Sequence, residues 1–154
     1  MRWIYWAIFL GVLAFAASAT TDRSGNVHQM AENIYWSDGD SGRIDGQPFR
    51  LANVDSPETG GVGARGGARC EAEREIGYDA KEFIVALTRN ADVQIAQSYG
   101  EDRYGRLVVD LTVNGRSLAE IGMEAGHYQP WPHRGQRALA PKPDWCGQLM
   151  ASLN

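Results

Sequence analysis

Cysteine, histidine and surplus positive charge are all scarce in this sequence. Its 154 residues include two cysteines, Cys70 and Cys146, and three histidines, His28, His127 and His133. Neither cysteine has a second cysteine or a histidine at ligand spacing, which argues against a zinc site. No histidine has a partner at catalytic spacing, so none is assigned a role. Lys and Arg number 15 against 19 Asp and Glu, a net charge of −4, so the bulk charge does not announce a nucleic-acid binder. There is no internal repeat. The glycine-rich run 59–68 (TGGVGARGGA) is not followed by Lys-Ser or Lys-Thr, which excludes a P-loop; it reads as a mobile surface loop. What is present is ordinary for a folded domain: 44% hydrophobic and 22% charged residues, in a chain long enough for one real core.

The N-terminus reads as an export signal. Arg2 is a minimal positive region, residues 3–16 are apolar, and Ala17-Ser18-Ala19 is a small-x-small cleavage site. Cleavage after Ala19 would give a secreted or periplasmic protein. The competing reading is an uncleaved anchor, since the apolar run approaches spanning length with Trp3, Tyr5 and Trp6 at interface level. The well-formed site and the lack of a following stop-transfer cluster favour cleavage. In an oxidising compartment Cys70 and Cys146 are expected to pair, and closing so long a loop stabilises by about 4 kcal/mol in the chain-entropy model. Two unpaired buried thiols are the alternative.

Residues 20–32 are polar, without periodicity, and read as a linker. Residues 33–154 read as one domain. Strands are expected at 33–36, 41–44 and 48–54, the last two joined by the Asp45-Gly46 turn. On the third, Phe49 and Leu51 share one face and Arg50, Ala52 and Val54 the other. A helix is expected over 69–89, with Ile76, Ala80, Phe83, Ile84 and Leu87 as its apolar stripe. Its charges, Glu71, Glu73, Arg74, Glu75, Lys81 and Glu82, read as a solvated face, and Gly77 as a weak point. Strands follow at 92–97 and 106–113, with a turn-rich connection at 99–105 between them; in the second, Leu107, Val109, Leu111 and Val113 alternate with Arg106, Val108, Asp110 and Thr112, and Asn114-Gly115 turns it. Ser117-Leu118-Ala119-Glu120 is a capping box for a short helix ending near Gly126. The tail is proline-rich, with a helical turn at 135–140, and Trp145-Cys146 tacks it to the body. This order predicts a mainly β, α+β protein: a five-stranded barrel of OB type with two to three helices.

The functional signal is concentrated in residues 37–58. The Asp38-Gly39-Asp40 turn and the Asp55-Ser56-Pro57-Glu58 corner place Asp40, Asp55 and Glu58 at strand ends, with Arg50 on the strand between. Carboxylates suit a hard cation, and an arginine fork matches phosphate oxygens. Taken singly, each is equally a turn acid or an exposed strand arginine. Taken together, they form a phosphodiester-cleaving constellation.

These segments resemble the thermonuclease, or staphylococcal-nuclease-like, family of OB-fold enzymes. The residues carrying the resemblance are Asp38-Gly39-Asp40-Ser41, Phe49-Arg50-Leu51, Val54-Asp55-Ser56-Pro57-Glu58-Thr59, Asp102-Arg103-Tyr104-Gly105-Arg106 and Gly115-Arg116-Ser117-Leu118-Ala119-Glu120. The resemblance covers about residues 33–128. It implies a Ca²⁺-dependent nuclease acting on DNA and RNA with little sequence preference; no stable protein partner is implied, and a monomer is expected. It further implies Asp40, Asp55 and the Ser56 carbonyl as metal ligands, and Glu58 as the group that activates water. Arg50 and Arg106 would bind phosphate. Tyr104 and Arg103 are candidates for substrate contact, Tyr104 by stacking on a base; Tyr128 and Trp131 are candidates to line the same groove. Asp38 reads as a turn residue. Serine stands for the family's common threonine at Ser41 and Ser56. The 59–68 loop carries only Arg65 as a basic residue, and prolines break the expected C-terminal helix. The alternative is a non-catalytic OB-fold module binding nucleic acid or protein.

Overall fold

The computed structural model describes residues 29–152. The expected signal segment and residues 20–28 of the expected linker, His28 included, lie outside them. Eleven short strands and three helices follow one another: β1 (Gln29–Met30), β2 (Ile34–Trp36), β3 (Ser41–Ile44), β4 (Gln47–Leu51), β5 (Val54–Asp55), α1 (Glu71–Thr88), β6 (Val93–Glu101), β7 (Leu107–Val113), β8 (Arg116–Ser117), α2 (Leu118–Glu124), β9 (Gln129–Pro130), β10 (His133–Arg134), β11 (Arg137–Ala138) and α3 (Trp145–Ser152).

The five expected strands all form and lie in one mixed sheet of order β1-β6-β7-β4-β3-β2, with β8 paired to β7. The β4–β7 pairing is parallel and the others are antiparallel. Among the described residues no pairing joins β1 to β2, so the sheet is not closed by strand ladders. Two hairpins turn where expected. Asp45 and Gly46 have φ of 49° and 85°, and Asn114 and Gly115 have 50° and 80°, the left-handed pair that a two-residue hairpin requires.

The core lies between the sheet and α1. Phe49, Leu51, Val93, Ile95, Val109, Leu111 and Val113 come from the sheet, and Ile84 and Leu118 from the helices. Trp36 packs edge-on against Phe49 at 5.1 Å and donates from Nε1 to Thr88 Oγ1 at 3.0 Å. The buried hydroxyl in turn donates to Ile84 O at 2.7 Å, so no polar atom of this pair is stranded.

The structure corrects several expectations. The tail of the expected linker carries β1, which pairs with β6 through Gln29↔Ile95 and Met30↔Gln94. The third strand does not run unbroken to Val54: Asn53 sits at φ 58°, a conformation asparagine tolerates, and the chain bends there before β5. The β6 strand extends through Glu101, which pairs with Leu107 after an irregularity between Ser98 and Glu101, so the connecting turn is shorter than 99–105. In α1 the buried stripe is Glu73, Gly77, Ala80, Ile84 and Thr88, with Ile76, Phe83 and Leu87 at its margins. Glu73 is therefore not solvated. It is 1% exposed because its carboxylate accepts the Arg69 backbone N–H at 2.7 Å, capping the helix start. Residues 133–138 form a β10–β11 hairpin, not a helical turn.

Cys70 and Cys146 are disulfide-bonded across a sequence separation of 76, fixing α3 against the start of α1. No helix of the described residues is long and apolar enough to cross a membrane.

Candidate active site

Two corners of chain meet beside α1. The first is the 38–40 turn. Tyr128 donates to Gly39 O at 2.6 Å from a buried position, and a Cβ at Gly39 would lie 2.1 Å from Ser56 Oγ. Only glycine lets this turn lie against Ser56. Asp38, expected as a turn residue, accepts from Ser41 Oγ at 3.4 Å and from Thr59 Oγ1, tying the first corner to the second.

The second corner is 55–58. Asp55 is on β5, whose backbone pairs with β9 through Asp55↔Gln129. Pro57 is fully buried. The helix reaches this corner at Gly77, where a Cβ would stand 2.5 Å from Glu58 O and 3.0 Å from Pro57 O. The residue that looked like a weak point in α1 is thus the one that admits the Pro57-Glu58 backbone against the helix.

Asp40, Asp55, Glu58 and Arg50 are brought within electrostatic reach of one another. Asp40 keeps some solvent contact as a residue, but its carboxyl group is enclosed. Burial, then the charge of Asp55, push its pKa up to about 7; Arg50 and the Ser56 N–H, which donates to Asp40 Oδ2 at 3.3 Å, only partly offset this. Asp55 is 2% exposed. Burial raises its pKa, while Lys142 and the indole of Trp145 hold it down. Trp145 Nε1 donates to Asp55 Oδ2 at 2.9 Å, and Lys142 Nζ lies 3.4 Å from Asp55 Oδ1. Glu58 is likewise raised by burial and held back by the hydrogen bond from Lys142 to its Oε1.

Arg50 donates to Leu51 O at 3.3 Å and Val54 O at 3.5 Å, and its guanidinium lies 5.2 Å from the Trp131 ring centroid. These are long contacts that leave much of its donor fork free for an anion. Arg106 is differently placed. It precedes β7 on the face that Arg50 shares by register, since Arg50 pairs with Val108. Its fork is engaged by Asp102, with Nε at 2.9 Å and Nη2 at 2.8 Å from Oδ2. Tyr104 is 61% exposed, beside Arg103 at 4.8 Å and Arg106 at 5.4 Å, and its hydroxyl accepts from Arg103. The 102–106 turn thus forms a second cationic and aromatic group, on the same sheet as Arg50.

The donors of the first group suit a hard cation. Two enclosed carboxylates repel one another, and Ser56 Oγ is buried with no hydrogen-bond partner. Ser56 also brings a backbone carbonyl to the same corner. Among the described residues no group of three or more His, Cys, Asp or Glu side chains gathers at metal-holding geometry.

Lys142 was not anticipated. Nothing in its local sequence marks it, because the carboxylates it meets, Glu58 and Asp55, lie 84 or more positions away. Trp131, expected to line the substrate groove, lies with its ring centroid 5.2 Å from the Arg50 guanidinium and 5.9 Å from the Lys142 ammonium.

No curated protein matches the chain. The model of one family, the staphylococcal nuclease homologues, matches residues 48–130, which carry Arg50, Asp55, Ser56, Glu58 and Arg106; Asp40 lies before the match and Lys142 after it. That domain is an OB-fold, in agreement with the α+β sheet and helices described above. The matched segment is more than half of the sequence, and the chain belongs to the staphylococcal nuclease homologue family.

Proposed function

We propose that this protein is an exported, Ca²⁺-dependent nuclease that hydrolyses phosphodiester bonds of DNA and RNA with little sequence preference. The family is in general one of calcium-dependent nucleases. The observation that carries the proposal is the enclosed Asp40–Asp55 pair facing Arg50 and Glu58. Asp40, Asp55 and the carbonyl of Ser56 would hold the cation, which supplies Lewis-acid charge to a phosphate oxygen.

The chain's own residues do the rest. Arg50 offers planar donors to the equatorial oxygens of the phosphate as negative charge builds on them. Arg106 adds a second fork from the same sheet face, on exchanging Asp102 for the substrate. Glu58, whose pKa burial raises above the ordinary carboxylate value, accepts a proton from the attacking water. Tyr104 and Arg103 receive a base and its backbone beside the site. The net charge of −4 makes binding local and strongly salt-dependent. Export, with removal of residues 1–19, and a monomeric state complete the reading.

A second reading, a non-catalytic OB-fold module binding nucleic acid or protein, draws support from one observation. Both Asp55 oxygens already have partners in Trp145 and Lys142.

The deciding experiment is hydrolysis of single-stranded DNA by the oxidised protein at low salt, with Ca²⁺ and with chelator, beside Glu58→Gln. Cleavage that needs Ca²⁺ and collapses in the variant supports the nuclease. No cleavage by folded protein with Ca²⁺, Mg²⁺ or Mn²⁺ sinks it and leaves the binding module. N-terminal sequencing of protein recovered outside the cytoplasm tests cleavage after Ala19.

A further inference from the structure

One cation already sits between Asp55, a candidate metal carboxylate, and Glu58, and the chain itself supplies it. Lys142 lies between β11 and α3 in the segment Pro141-Lys142-Pro143. Its ammonium is shared between Asp55 Oδ1, at 3.4 Å, and Glu58 Oε1, and lies 5.9 Å from the Trp131 ring centroid. The segment is pinned on both sides. Trp131 Nε1 donates to Ala140 O at 3.1 Å on one side. On the other, Arg69 donates to Pro143 O and pairs with Asp144 at 3.7 Å, followed by the Trp145–Asp55 hydrogen bond and the Cys70–Cys146 disulfide. The flanking prolines narrow the conformations open to a displaced Lys142. A tethered ammonium therefore faces Asp55 and Glu58 at the high effective concentration of an intramolecular ligand.

We propose that Lys142 is a built-in competitor for the metal: it occupies Asp55 and Glu58 in the metal-free protein, and a divalent cation must displace it to bind. This rests on the reading of Asp40 and Asp55 as metal ligands. The lysine keeps the carboxylates compensated when calcium is scarce and sets a high calcium threshold for loading. The Cys70–Cys146 bond holds the latch in register.

The test is calorimetric titration of calcium into the oxidised, chelator-stripped full chain, as wild type, Lys142→Met, Lys142→Arg and Asp40→Asn. Methionine keeps a long stem against Trp131 and removes the charge. Lys142→Met is expected to tighten calcium binding by about tenfold or more, the equivalent of one lost charged hydrogen bond. Lys142→Arg should keep the weak wild-type affinity, and Asp40→Asn should abolish binding. Unchanged or weaker affinity in Lys142→Met, with binding still dependent on Asp40, overturns the competition and leaves the metal site standing. Absence of calcium binding in wild type and Lys142→Met alike, at millimolar calcium, overturns both. A readout independent of any variant is the side-chain amine resonance of Lys142 in isotopically labelled wild-type protein. It should shift as calcium is added; a signal unmoved at saturating calcium overturns the proposal.

Discussion

Trp145 Nε1 donates to the buried Asp55 Oδ2 at 2.9 Å, joining residues 90 positions apart. A carboxylate oxygen with no access to water needs such a donor, and the indole supplies it from the first turn of α3. Trp145→Phe keeps the ring bulk and removes the N–H. The loss should cost about 1–3 kcal/mol, because one buried acceptor is left unmade. Equilibrium urea denaturation measures it, and a midpoint equal to wild type would show that Asp55 does not depend on the indole N–H.

Gly77 sets helix propensity against packing. An exposed Gly→Ala change inside a helix gains about 1 kcal/mol. Here the new Cβ would stand 2.5 Å from Glu58 O and 2.8 Å from Glu58 C, both backbone atoms that no rotamer change can move aside. Overpacking of this kind costs about 1–3 kcal/mol and should win. Gly77→Ala is expected to lower stability and also to displace Glu58, reducing hydrolysis more than the stability loss explains. An alanine variant as stable as wild type would show that the helix–corner approach is looser than the backbone distances imply.

The disulfide closes a loop of sequence separation 76. The loop-entropy model assigns such a closure about 4 kcal/mol. A Cys70→Ser, Cys146→Ser double variant should lose stability on that scale, and reductant should destabilise the wild type equally while leaving the variant unaffected. A reductant effect of the same size on the serine variant would locate the sensitivity elsewhere.

Local chemistry was legible in the sequence where the signal was itself local. The alternation at 107–113 gave β7 its faces, Asp45-Gly46 and Asn114-Gly115 gave two turns, and Ser117 caps α2 by accepting from Glu120 N at 3.3 Å. The acids and Arg50 of residues 37–58 were legible because strand ends converge whenever the intervening hairpin forms. What was hidden is long-range. Glu73 reads as a surface charge until Arg69 and the disulfide close over it. Gly77 reads as a helix defect until Glu58 is placed beneath it. Lys142 reads as a lysine between prolines until the disulfide carries it to Asp55 and Glu58. The β10–β11 hairpin was missed because a short polar stretch with one glycine has no period to distinguish helix from strand.

The pH dependence of the metal-free protein follows from Asp40. Its pKa is raised from 3.8 to about 7, chiefly by burial and then by the charge of Asp55. Between those values the folded state holds a proton at Asp40 that the unfolded chain has already lost. Stability must then fall as pH rises through that window, because the unfolded state binds fewer protons. The contribution is fully present below about pH 4 and gone above about pH 7. Carboxylates paired with cations in the folded state, such as Asp102 beside Arg106, act in the opposite sense only at the acid end, where they become protonated. Thermal melts of chelator-treated protein from pH 5 to pH 8 should therefore show a declining midpoint, and Asp40→Asn should flatten the decline. Calcium should raise the midpoint more at pH 8 than at pH 5, since it binds the ionised pair. A midpoint that climbs steadily to pH 8 without metal, or one that Asp40→Asn leaves equally steep, would mean that Asp40 is ionised at little cost and that the pair does not need a cation.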